Sequence, residues 1–487
     1  MVREDVFGPG EFGAVGGAMR WAHVTTREFV VRRELLLRPG DTYDSVLVAE
    51  TERNLRALGI FRRALVDTVR DGDRLVLRVT TQDGWTTTPV FDIATSEGQT
   101  SIAIGLVEGN FLGRAAVAGA RYRSTPDRTS WLLAYRQPRA IAGRIGVTAQ
   151  WDARSDGRAL FASMGQPFLA LSGRWAWGTD VTDFDGDVLR FRDGDPAPFV
   201  VLRRRFFLAS AFSAHALAAS PRGYLRVGLS GQLRRDDFVP QPIDGVAFPE
   251  SWTGAAGPYL EWARARFVVL RNVASFLREE DQSVGVGVRV GVLAAPRLFG
   301  YERDGVGGLL SAGAGVRIPG GFARADVGVT GLVDAGGLDS GTVTLKARAV
   351  VQPSARHALL LGGFLGWQDD PVPGAEFDFG LGAVLRAYPI HAFTGDRAWY
   401  AVGEYRWTVA PDAFGLLGLA LGAFAGAGGA WFDGDPQRSG AEAGVGLRFG
   451  PSRLASASLF RLDAAYRTGG SGFAPGWSLV FARGFTF

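Results

Sequence analysis

Residues 283–293 read Ser-Val-Gly-Val-Gly-Val-Arg-Val-Gly-Val-Leu, and this stretch decides the fold. Valine stands at every second position from 284 to 292, with Gly285, Gly287, Arg289 and Gly291 between. Successive side chains of a β-strand point to opposite faces of the sheet, so this spacing places the valines on one face. We therefore predict a strand with one apolar face and one face of glycine and arginine.

The same alternation recurs from about Thr87 to the end of the chain. Three further segments that show it clearly are Tyr224–Arg234, Thr342–Val350 and Glu442–Phe449. A soluble sandwich or propeller would need apolar bulk on its inward face, whereas here the second face carries arginine and glycine. In a membrane barrel the apolar face meets lipid and the polar face lines a wet lumen. The chain is therefore predicted to be mainly β, with a transmembrane antiparallel β-barrel over residues 85–487.

The composition agrees with a folded, aromatic-rich protein. Glycine accounts for 68 of 487 residues, about twice its usual share of roughly 7 %, and interior glycine relieves crowding between closely packed strands. Apolar residues make up 47 % of the chain, with 13 tryptophans and 33 phenylalanines, which excludes disorder through lack of apolar surface. The 53 basic and 49 acidic residues are interspersed, so we expect no nucleic-acid partner.

Residues that carry enzyme or metal chemistry are scarce. The chain has no cysteine, which excludes disulfides, thiolate metal sites and cysteine nucleophiles. Its four histidines form no HExxH or other paired motif, and no GxSxG sequence is present. We expect no metal, no cofactor and no catalytic residue, so the chain is expected not to be an enzyme. An outer-membrane phospholipase stays open, because serine and histidine from different strands can meet on a barrel wall.

Residues 19–84 are predicted to form a separate small domain of order β-α-α-β-β, because helical periodicity persists only there. A strand is expected over Met19–Val24. A helix should follow from the capping box of Thr25 and Glu28. A second helix should begin after Asp44, whose side chain can cap it.

The second half of this domain is predicted to be a hairpin. The second helix should stop at Gly59, and the strands Phe61–Val69 and Arg74–Thr81 follow. Residues 1–18 contain no apolar run and are expected to be a flexible leader or a truncated start.

Residues 413–432 are uncharged throughout and would also fit a transmembrane helix. A strand pair accounts for them better, since Trp399–Val409 alternates and the turn sequence Ala410-Pro411-Asp412 precedes Phe414–Trp431. Tryptophans near strand ends are typical of the aromatic girdles of membrane barrels. Those near predicted strand ends are Trp131, Trp151, Trp175, Trp262, Trp399, Trp407, Trp431 and Trp477.

The last eleven residues, 477–487, are predicted to form the closing strand of the barrel. Their apolar positions share one face and are Trp477, Leu479, Phe481, Phe485 and Phe487. So apolar an edge strand would invite aggregation in a soluble protein. In a closed barrel it would instead pair with the first strand, expected near Pro89–Thr95.

Together these features resemble the BamA/TamA family of outer-membrane proteins, also called bacterial surface antigens, in which periplasmic POTRA domains precede a barrel. The run Leu55–Phe61 is similar to a POTRA sequence, and the terminal Phe487 resembles the family's β-signal. The family has a conserved turn early in the barrel. The residues that resemble it here are Asn110, Phe111, Leu112 and Gly113. The resemblance implies about sixteen strands. Alternating segments after Thr87 number about twenty, so either some are loop hairpins or the barrel is larger.

The resemblance also indicates a lumen loop. The sequence Leu385-Arg386-Ala387-Tyr388 stands where the family has its (V/I)RG(F/Y) motif, on a loop folded back into the barrel. Ala387 replaces the motif glycine, and Gly426 stands where relatives usually carry an aspartate facing the motif arginine. Burial of an arginine without anionic partners costs several kcal/mol. The predicted partners of Arg386 are Glu404, Glu442 and Asp463.

By this resemblance the chain is expected to be an outer-membrane factor for protein assembly or transport, with its N-terminal domain in the periplasm. Unfolded outer-membrane proteins would be its clients, outer-membrane lipids its surroundings, and periplasmic proteins or lipoproteins its further partners. Client strands would pair at the seam between the first and last strands, and Arg74–Thr81 would offer them an edge. The rival is a passive pore or polypeptide-secretion channel, in which Arg226, Arg289 and Arg348 set anion preference. A lipid-transferring relative is a third reading.

Overall fold

The computed structural model describes residues 1–8, 11–13, 17, 21, 23–72, 74–239, 252–381, 384–454 and 459–483. Over these residues the chain is mainly β, with a closed barrel of twenty antiparallel strands. A small β-α-α-β-β domain precedes the barrel. The prediction of a mainly β chain built on a closed antiparallel barrel is therefore confirmed.

The N-terminal domain has one three-stranded sheet and two helices. Its elements are β1 (Val2–Glu4), α1 (Glu28–Glu34), α2 (Ser45–Ala57), β2 (Phe61–Asp71) and β3 (Arg74–Asp83). The strand order is β1-β3-β2, with β1 parallel and β2 antiparallel to β3. Asp44 caps α2 as predicted, since its Oδ1 accepts the Val46 N–H at 2.7 Å. Gly59 follows the helix with a φ of 68°, as a left-handed stop requires.

Two predictions for this domain are wrong, and a third holds only in part. The first strand is Val2–Glu4 within the expected leader, while the predicted strand Met19–Val24 lies partly outside the described residues and its remainder belongs to no strand. Helix α1 begins after Arg27 and not after Thr25. β3 lies between β1 and β2, but β1 pairs with it only at Thr80–Gln82, so just the last two residues of the expected edge Arg74–Thr81 are covered.

The barrel strands run up and down in chain order around the barrel. They are β4 (Thr87–Ser96), β5 (Gln99–Phe111), β6 (Ala116–Ser124), β7 (Thr129–Ile141), β8 (Ile145–Arg154), β9 (Gly157–Gln166), β10 (Trp175–Arg190), β11 (Val200–Ser220), β12 (Gly223–Val239), β13 (Trp252–Arg264), β16 (Val286–Ala295), β17 (Gly305–Ile318), β18 (Gly321–Asp334), β19 (Gly337–Ser354), β20 (His357–Asp369), β23 (Arg397–Ala413), β24 (Leu417–Trp431), β25 (Gly440–Pro451), β26 (Phe460–Arg467) and β27 (Gly476–Arg483). We call the end that carries the N-terminal domain the domain end, and the opposite end the far end.

Two short hairpins lie outside the barrel ladder. They are formed by β14 (Phe267–Arg271) with β15 (Glu279–Ser283), and by β21 (Phe377–Phe379) with β22 (Phe393–Gly395). The barrel itself has twenty strands, so the expectation of about sixteen is wrong. The sequence motifs that suggested sixteen do not determine the number of strands. The alternation of side chains reports each strand directly, and its count of about twenty agrees with the barrel.

The outer surface of the barrel is apolar, as the alternation predicts. Val286, Val290 and Val292 are 40 %, 46 % and 49 % exposed, while Arg289 points inward with its guanidinium 3.9 Å from the Tyr259 ring. Of the predicted girdle tryptophans, those that are exposed on the outer surface near the two barrel ends are Trp131, Trp151, Trp175, Trp262, Trp407 and Trp477. Trp399 and Trp431 are only partly exposed. An apolar outer belt with aromatic residues towards both ends is typical of outer-membrane barrels.

Residues 413–432 contain the end of β23 and the strand β24. The expected turn at residues 410–412 is wrong, because β23 continues to Ala413 and the chain reverses after it. Across the described parts of the chain, no helix has both the length and the apolar character that crossing a bilayer requires.

The N-terminal domain is attached to the barrel by the predicted turn motif. Asn110 is buried and donates from Nδ2 to Val24 O at 3.1 Å and to Thr26 Oγ1 at 2.9 Å. The carbonyl of Gly113 accepts the Arg27 N–H at 3.0 Å. These tertiary hydrogen bonds engage Val24, Thr26 and Arg27, and the backbone of Arg27 is extended. This explains why α1 does not start at the capping box. Phe111 and Leu112 of the same motif are exposed.

Gly113 tests this attachment. Its φ is +71°, and an added Cβ would lie 2.6 Å from Thr25 O. Gly113→Ala should therefore loosen the N-terminal domain, since the left-handed backbone alone costs a non-glycine residue about 1–2 kcal/mol. Hydrogen exchange of residues 23–27 should become faster in this variant.

Gly98→Ala is the matched control for that experiment. Gly98 has a φ of +79° in the β4–β5 turn, and an added Cβ would meet nothing within 4 Å. Equal acceleration of exchange at residues 23–27 in both variants would contradict the role given to Gly113.

Candidate functional site

The barrel closes where the last strand meets the first. In the described residues, β27 pairs with β4 over Leu479–Phe481 and Ile93–Thr95. The Arg483 N–H also donates to Asp92 Oδ1 at 2.8 Å. By contrast, β4 pairs with β5 along its whole length. We call the β27–β4 junction the seam. Phe485 and Phe487 of the predicted terminal strand lie outside the described residues.

A long segment between β20 and β23, residues 370–396, folds into the barrel from the far end and is called the lumen loop. It carries the β21–β22 hairpin and the motif Leu385–Tyr388. Leu381 packs against the inward-facing side chains Ala94 of β4 and Val480 of β27, with Ile390 beside them. The lumen loop therefore covers the seam from inside.

One carbonyl of the lumen loop bridges both strands of the seam. The oxygen of Ala387 lies 3.2 Å from Ser96 Oγ and 3.0 Å from Ser478 Oγ. The two serine oxygens lie 3.0 Å apart. Arg467 Nη1 donates to the same carbonyl at 3.0 Å, and its Nη2 pairs with Glu97. All these groups except the Glu97 side chain are buried, where a hydrogen bond competes little with water.

Arg386 is 2 % exposed and contacts two of its three predicted partners. Its Nη1 lies 2.5 Å from Asp463 Oδ2, and its Nε lies 3.4 Å from Glu442 Oε1. The guanidinium stands 3.8 Å from the ring centre of Phe424. Glu442 also accepts the N–H of Ala387 at 2.7 Å. Arg386 thus fixes the motif to β25 and β26.

Glu404, the third predicted partner, contacts other arginines. It accepts from Arg406 Nη2 at 2.7 Å and from Arg448 Nη2 at 2.8 Å. Arg448 in turn reaches Asp463 Oδ1 at 2.5 Å. The result is one continuous buried network that runs from Arg406 through Glu404, Arg448 and Asp463 to Arg386. Removing one member of a buried ion pair typically costs about 3–5 kcal/mol because it leaves the partner's charge unpaired. Truncating any one member would therefore destabilise the wall behind the seam.

The two departures from the family motif have a structural counterpart. Gly426 of β24 pairs in register with Glu442 of β25, so the carboxylate expected at position 426 is supplied by the neighbouring strand. The methyl group of Ala387 packs against Phe424 and Ala465. A side chain at the motif glycine position is therefore accommodated.

The remaining motif residues anchor the lumen loop by packing. Leu385 is fully buried. The ring of Tyr388 contacts those of Phe393 and Phe473, and its hydroxyl accepts the Ala441 N–H at 2.9 Å.

Sequence reasoning missed Ser96, Ser478 and Arg467. Arg467 shares its strand face with Arg461 and Asp463, since every second residue of β26 is buried, and that spacing could have placed it inward. The two serines offer no such signal, because a single small polar residue is ordinary on either face of a barrel strand.

The lumen arginines considered for a channel are stacked on aromatic rings. Arg226 lies 3.4 Å from the ring centre of Tyr224 and 3.5 Å from that of Phe168. The corresponding distance from Arg348 to Phe322 is 5.4 Å. Such cation–π contacts hold the guanidinium groups against the wall.

His391 fastens the lumen loop on the side away from Arg386. Its Nδ1 lies 2.6 Å from Asp378 Oδ2, its Nε2 lies 3.0 Å from Asp127 Oδ2, and its ring stacks on Phe191 at 3.5 Å. Burial alone would lower the pKa of His391, but the hydrogen bonds and charges of Asp127 and Asp378 raise it to about 9. His391, Asp127 and Asp378 line a cavity. Its other charged lining residues are Arg123, Arg128, Asp152 and Arg154.

No protein-family model matches the chain, and no curated protein matches its sequence. Among solved structures, the chain is similar to BamA from Haemophilus ducreyi lacking POTRA domains 1–3, at 12 % identity and a TM-score of 0.46, with 94 % of this chain and 82 % of that chain covered. It is also similar to CdiB from Escherichia coli, at 12 % identity and a TM-score of 0.49, with 99 % of this chain and 76 % of that chain covered. A third similar structure is the FrpB iron transporter from Neisseria meningitidis, at 8 % identity and a TM-score of 0.44, with 84 % of each chain covered. Likeness at this level assigns neither a family nor a function.

The anchoring by His391 should depend on pH. A histidine has an ordinary pKa of about 6.5, and here it is raised to about 9. The stabilisation is therefore fully present below about pH 6.5 and is lost as the pH rises through about 9. Protease cleavage within residues 370–396 should increase between pH 7 and pH 10.

His391→Gln should be cleaved readily at both pH values, because glutamine carries no charge to lose. His357→Gln is the control, since His357 pairs with Tyr405 on the outer surface. If wild type and His391→Gln showed the same pH profile, the lumen loop would not depend on this histidine.

Proposed function

We propose that this chain is an outer-membrane factor for protein assembly or transport, of the BamA/TamA kind, which accepts strands of unfolded outer-membrane proteins at its seam. Its N-terminal domain would lie in the periplasm and act as a POTRA domain, with no enzymatic turnover. The observation that carries this proposal is the seam itself, whose two strands are bridged from inside by the Ala387 carbonyl.

The driving force for client entry would be backbone hydrogen bonding. A parted seam exposes the N–H and C=O groups of two strand edges, and each unsatisfied group in hydrocarbon costs several kcal/mol. A client strand that pairs with an exposed edge restores these bonds by β-augmentation. Opening is then favourable mainly when a client is present.

The contacts of the lumen loop are asymmetric across the seam. Arg386 holds it to β25 and β26 through buried ion pairs. On the other side it meets Ser96, the apolar contact with Ala94, and Gln99, whose Oε1 accepts the Ile390 N–H at 3.0 Å. The pair of His391 with Asp127 of the β6–β7 turn lies on this side too. If β4 leaves while the lumen loop stays with β25–β27, this pair would have to break.

The N-terminal domain would receive the client. β2 (Phe61–Asp71) is an outer strand of its sheet, and β1 covers β3 only at Thr80–Gln82. Among the described residues, the rest of β3 has no strand on this edge, and Leu75 and Val76 there are 52 % and 42 % exposed. Apolar residues beside an unpaired edge suit an incoming client strand.

The second candidate is a passive pore or polypeptide-secretion channel. Barrels with 16–18 strands enclose an aqueous channel, and this barrel has twenty. The wall arginines Arg226, Arg289 and Arg348 would favour anions in such a channel.

Client folding in liposomes tests the assembly function. Residues 1–487 refolded into liposomes should speed severalfold the appearance of heat-modifiable, protease-protected barrel from an unfolded small outer-membrane protein. Arg386→Ala should fold but lose this acceleration, because the Ala387 carbonyl is no longer held at the seam. Arg203→Ala is the control, since Arg203 pairs with Asp185 at 2.7 Å on β10, away from the seam. Full activity of Arg386→Ala would refute the role of the lumen loop, and stable conductance without client folding would favour the channel.

A seam crosslink tests where the client enters. Ala94 and Val480 are directly opposed across the seam, and the Cβ atoms of such pairs lie about 4.5–5.5 Å apart, near disulfide distance. Oxidised Ala94→Cys/Val480→Cys should not accelerate client folding, and reduction should restore the acceleration. The matched control is Ala94→Cys/Ser101→Cys, which joins β4 to β5 at an opposed pair instead. Undiminished acceleration with the seam crosslinked would exclude entry there.

A further inference from the structure

The barrel receives a second inserted segment, from the domain end. Residues 265–285 join β13 to β16 and carry the β14–β15 hairpin, where neighbouring barrel turns at this end are short. Leu270 and Val273 are buried against Phe322, Val350 and Leu360, which face inward on β18, β19 and β20. We call residues 265–285 the lumen hairpin.

The tip of the lumen hairpin is fitted to the opposite wall. Phe276 is 4 % exposed and packs with Ala420 of β24 and with Leu459. Its ring lies against Gly418, where an added Cβ would stand 2.0 Å from Phe276 Cγ. Glu280 closes the tip by accepting the N–H groups of Ala274 and Ser275 at 2.9 and 3.0 Å.

The N-terminal domain holds the lumen hairpin at Phe267, at β15 and at the end of the turn between its two strands. Arg56 of α2 forms a two-bond ion pair with Asp281, with Nε–Oδ2 at 2.7 Å and Nη2–Oδ1 at 2.9 Å. Arg278 donates from Nη2 to Arg56 O at 3.0 Å. The guanidinium of Arg53 lies 4.4 Å from the ring centre of Phe267.

The lumen hairpin also reaches the ion network behind the seam. Arg406 is 1 % exposed and donates from Nη1 to Val273 O at 2.6 Å. It also donates from Nη2 to Glu404, which is shared with Arg448. The lumen hairpin thus touches the N-terminal domain on one side and the network that holds Arg386 on the other.

We propose that the lumen hairpin is a plug that closes the barrel from the domain end, and that the N-terminal domain controls it through Arg56 and Asp281. Barrels of 16–18 strands already enclose an aqueous channel, so a twenty-stranded barrel is closed to water and ions only if its lumen is filled. Displacement of the N-terminal domain by a bound partner would remove its contacts with the plug. The proposal concerns the closed state of the lumen and applies to the assembly factor and the channel alike, so its test contains no client.

Conductance of the full chain in planar bilayers tests the plug. Arg56→Asp places a carboxylate against Asp281 and should raise steady conductance severalfold over wild type. The charge swap Arg56→Asp/Asp281→Arg should return conductance to near the wild-type level. Arg78→Asp is the matched control, because Arg78 pairs with Asp67 within the N-terminal domain, and it should conduct like wild type.

A second variant acts on the tip and leaves the N-terminal domain unchanged. Gly418→Leu fills the space that Phe276 occupies and should also raise conductance, with heat modifiability on gels showing that the barrel is folded. Wild-type conductance in both Arg56→Asp and Gly418→Leu would overturn the proposal. A charge swap that conducts as freely as Arg56→Asp would overturn the control by the N-terminal domain.

Discussion

A backbone in hydrocarbon must satisfy its own hydrogen bonds, and the rest of this structure follows from that constraint. It requires a closed sheet, since an open edge in lipid leaves a row of unpaired N–H and C=O groups. Nineteen of the twenty junctions join strands that are neighbours in the barrel's chain order, and one joins the two ends of the barrel. That last junction is reinforced by groups outside the ladder. Ser96, Ser478 and the carbonyl of Ala387 provide polar contacts there, and Leu381 provides an apolar one.

Closure with twenty strands creates a second demand, because so wide a lumen would otherwise be filled by water. The chain meets it with the lumen loop from the far end and the lumen hairpin from the domain end. Both contact the wall formed by β23–β26, where arginines and carboxylates alternate in space. In low dielectric these charges interact strongly, but only in good geometry. In the described residues, the wall behind the seam therefore carries the buried ion pairs that hold Arg386, Arg406 and Arg448.

The sequence could predict what depends on local periodicity. Alternation located strands such as β16 and β19 to within a few residues, and it placed Arg289 inward. The capping residue Asp44 and the stop at Gly59 are likewise local. The start of α1 could not be found in this way, because hydrogen bonds to Asn110 and Gly113 on the barrel outweigh the capping preference of Thr25. The place of β1 depends on the pairing of Val2 with Thr80, and no local pattern reports so distant a contact.

The candidate site likewise combines features that the sequence predicts with features that depend on the assembled barrel. An inward arginine needs carboxylates, and this rule singles out Glu404, Glu442 and Asp463 as candidates without saying which one Arg386 contacts. The choice depends on strand register, which puts Glu442 opposite Gly426 and Asp463 one strand further on. Ser96 and Ser478 acquire their importance only from closure of the barrel, since they come from its two ends.

The alternation of β26 gives its buried charges one more consequence. Arg461, Asp463 and Arg467 face inward, and Leu462 and Tyr466 face outward. If β26 slipped by one residue against β25, the three charges would move into lipid and the apolar side chains would enter the lumen. The ion network thus favours a single pairing register for β26, the penultimate strand. It thereby fixes which edge β27 presents to β4.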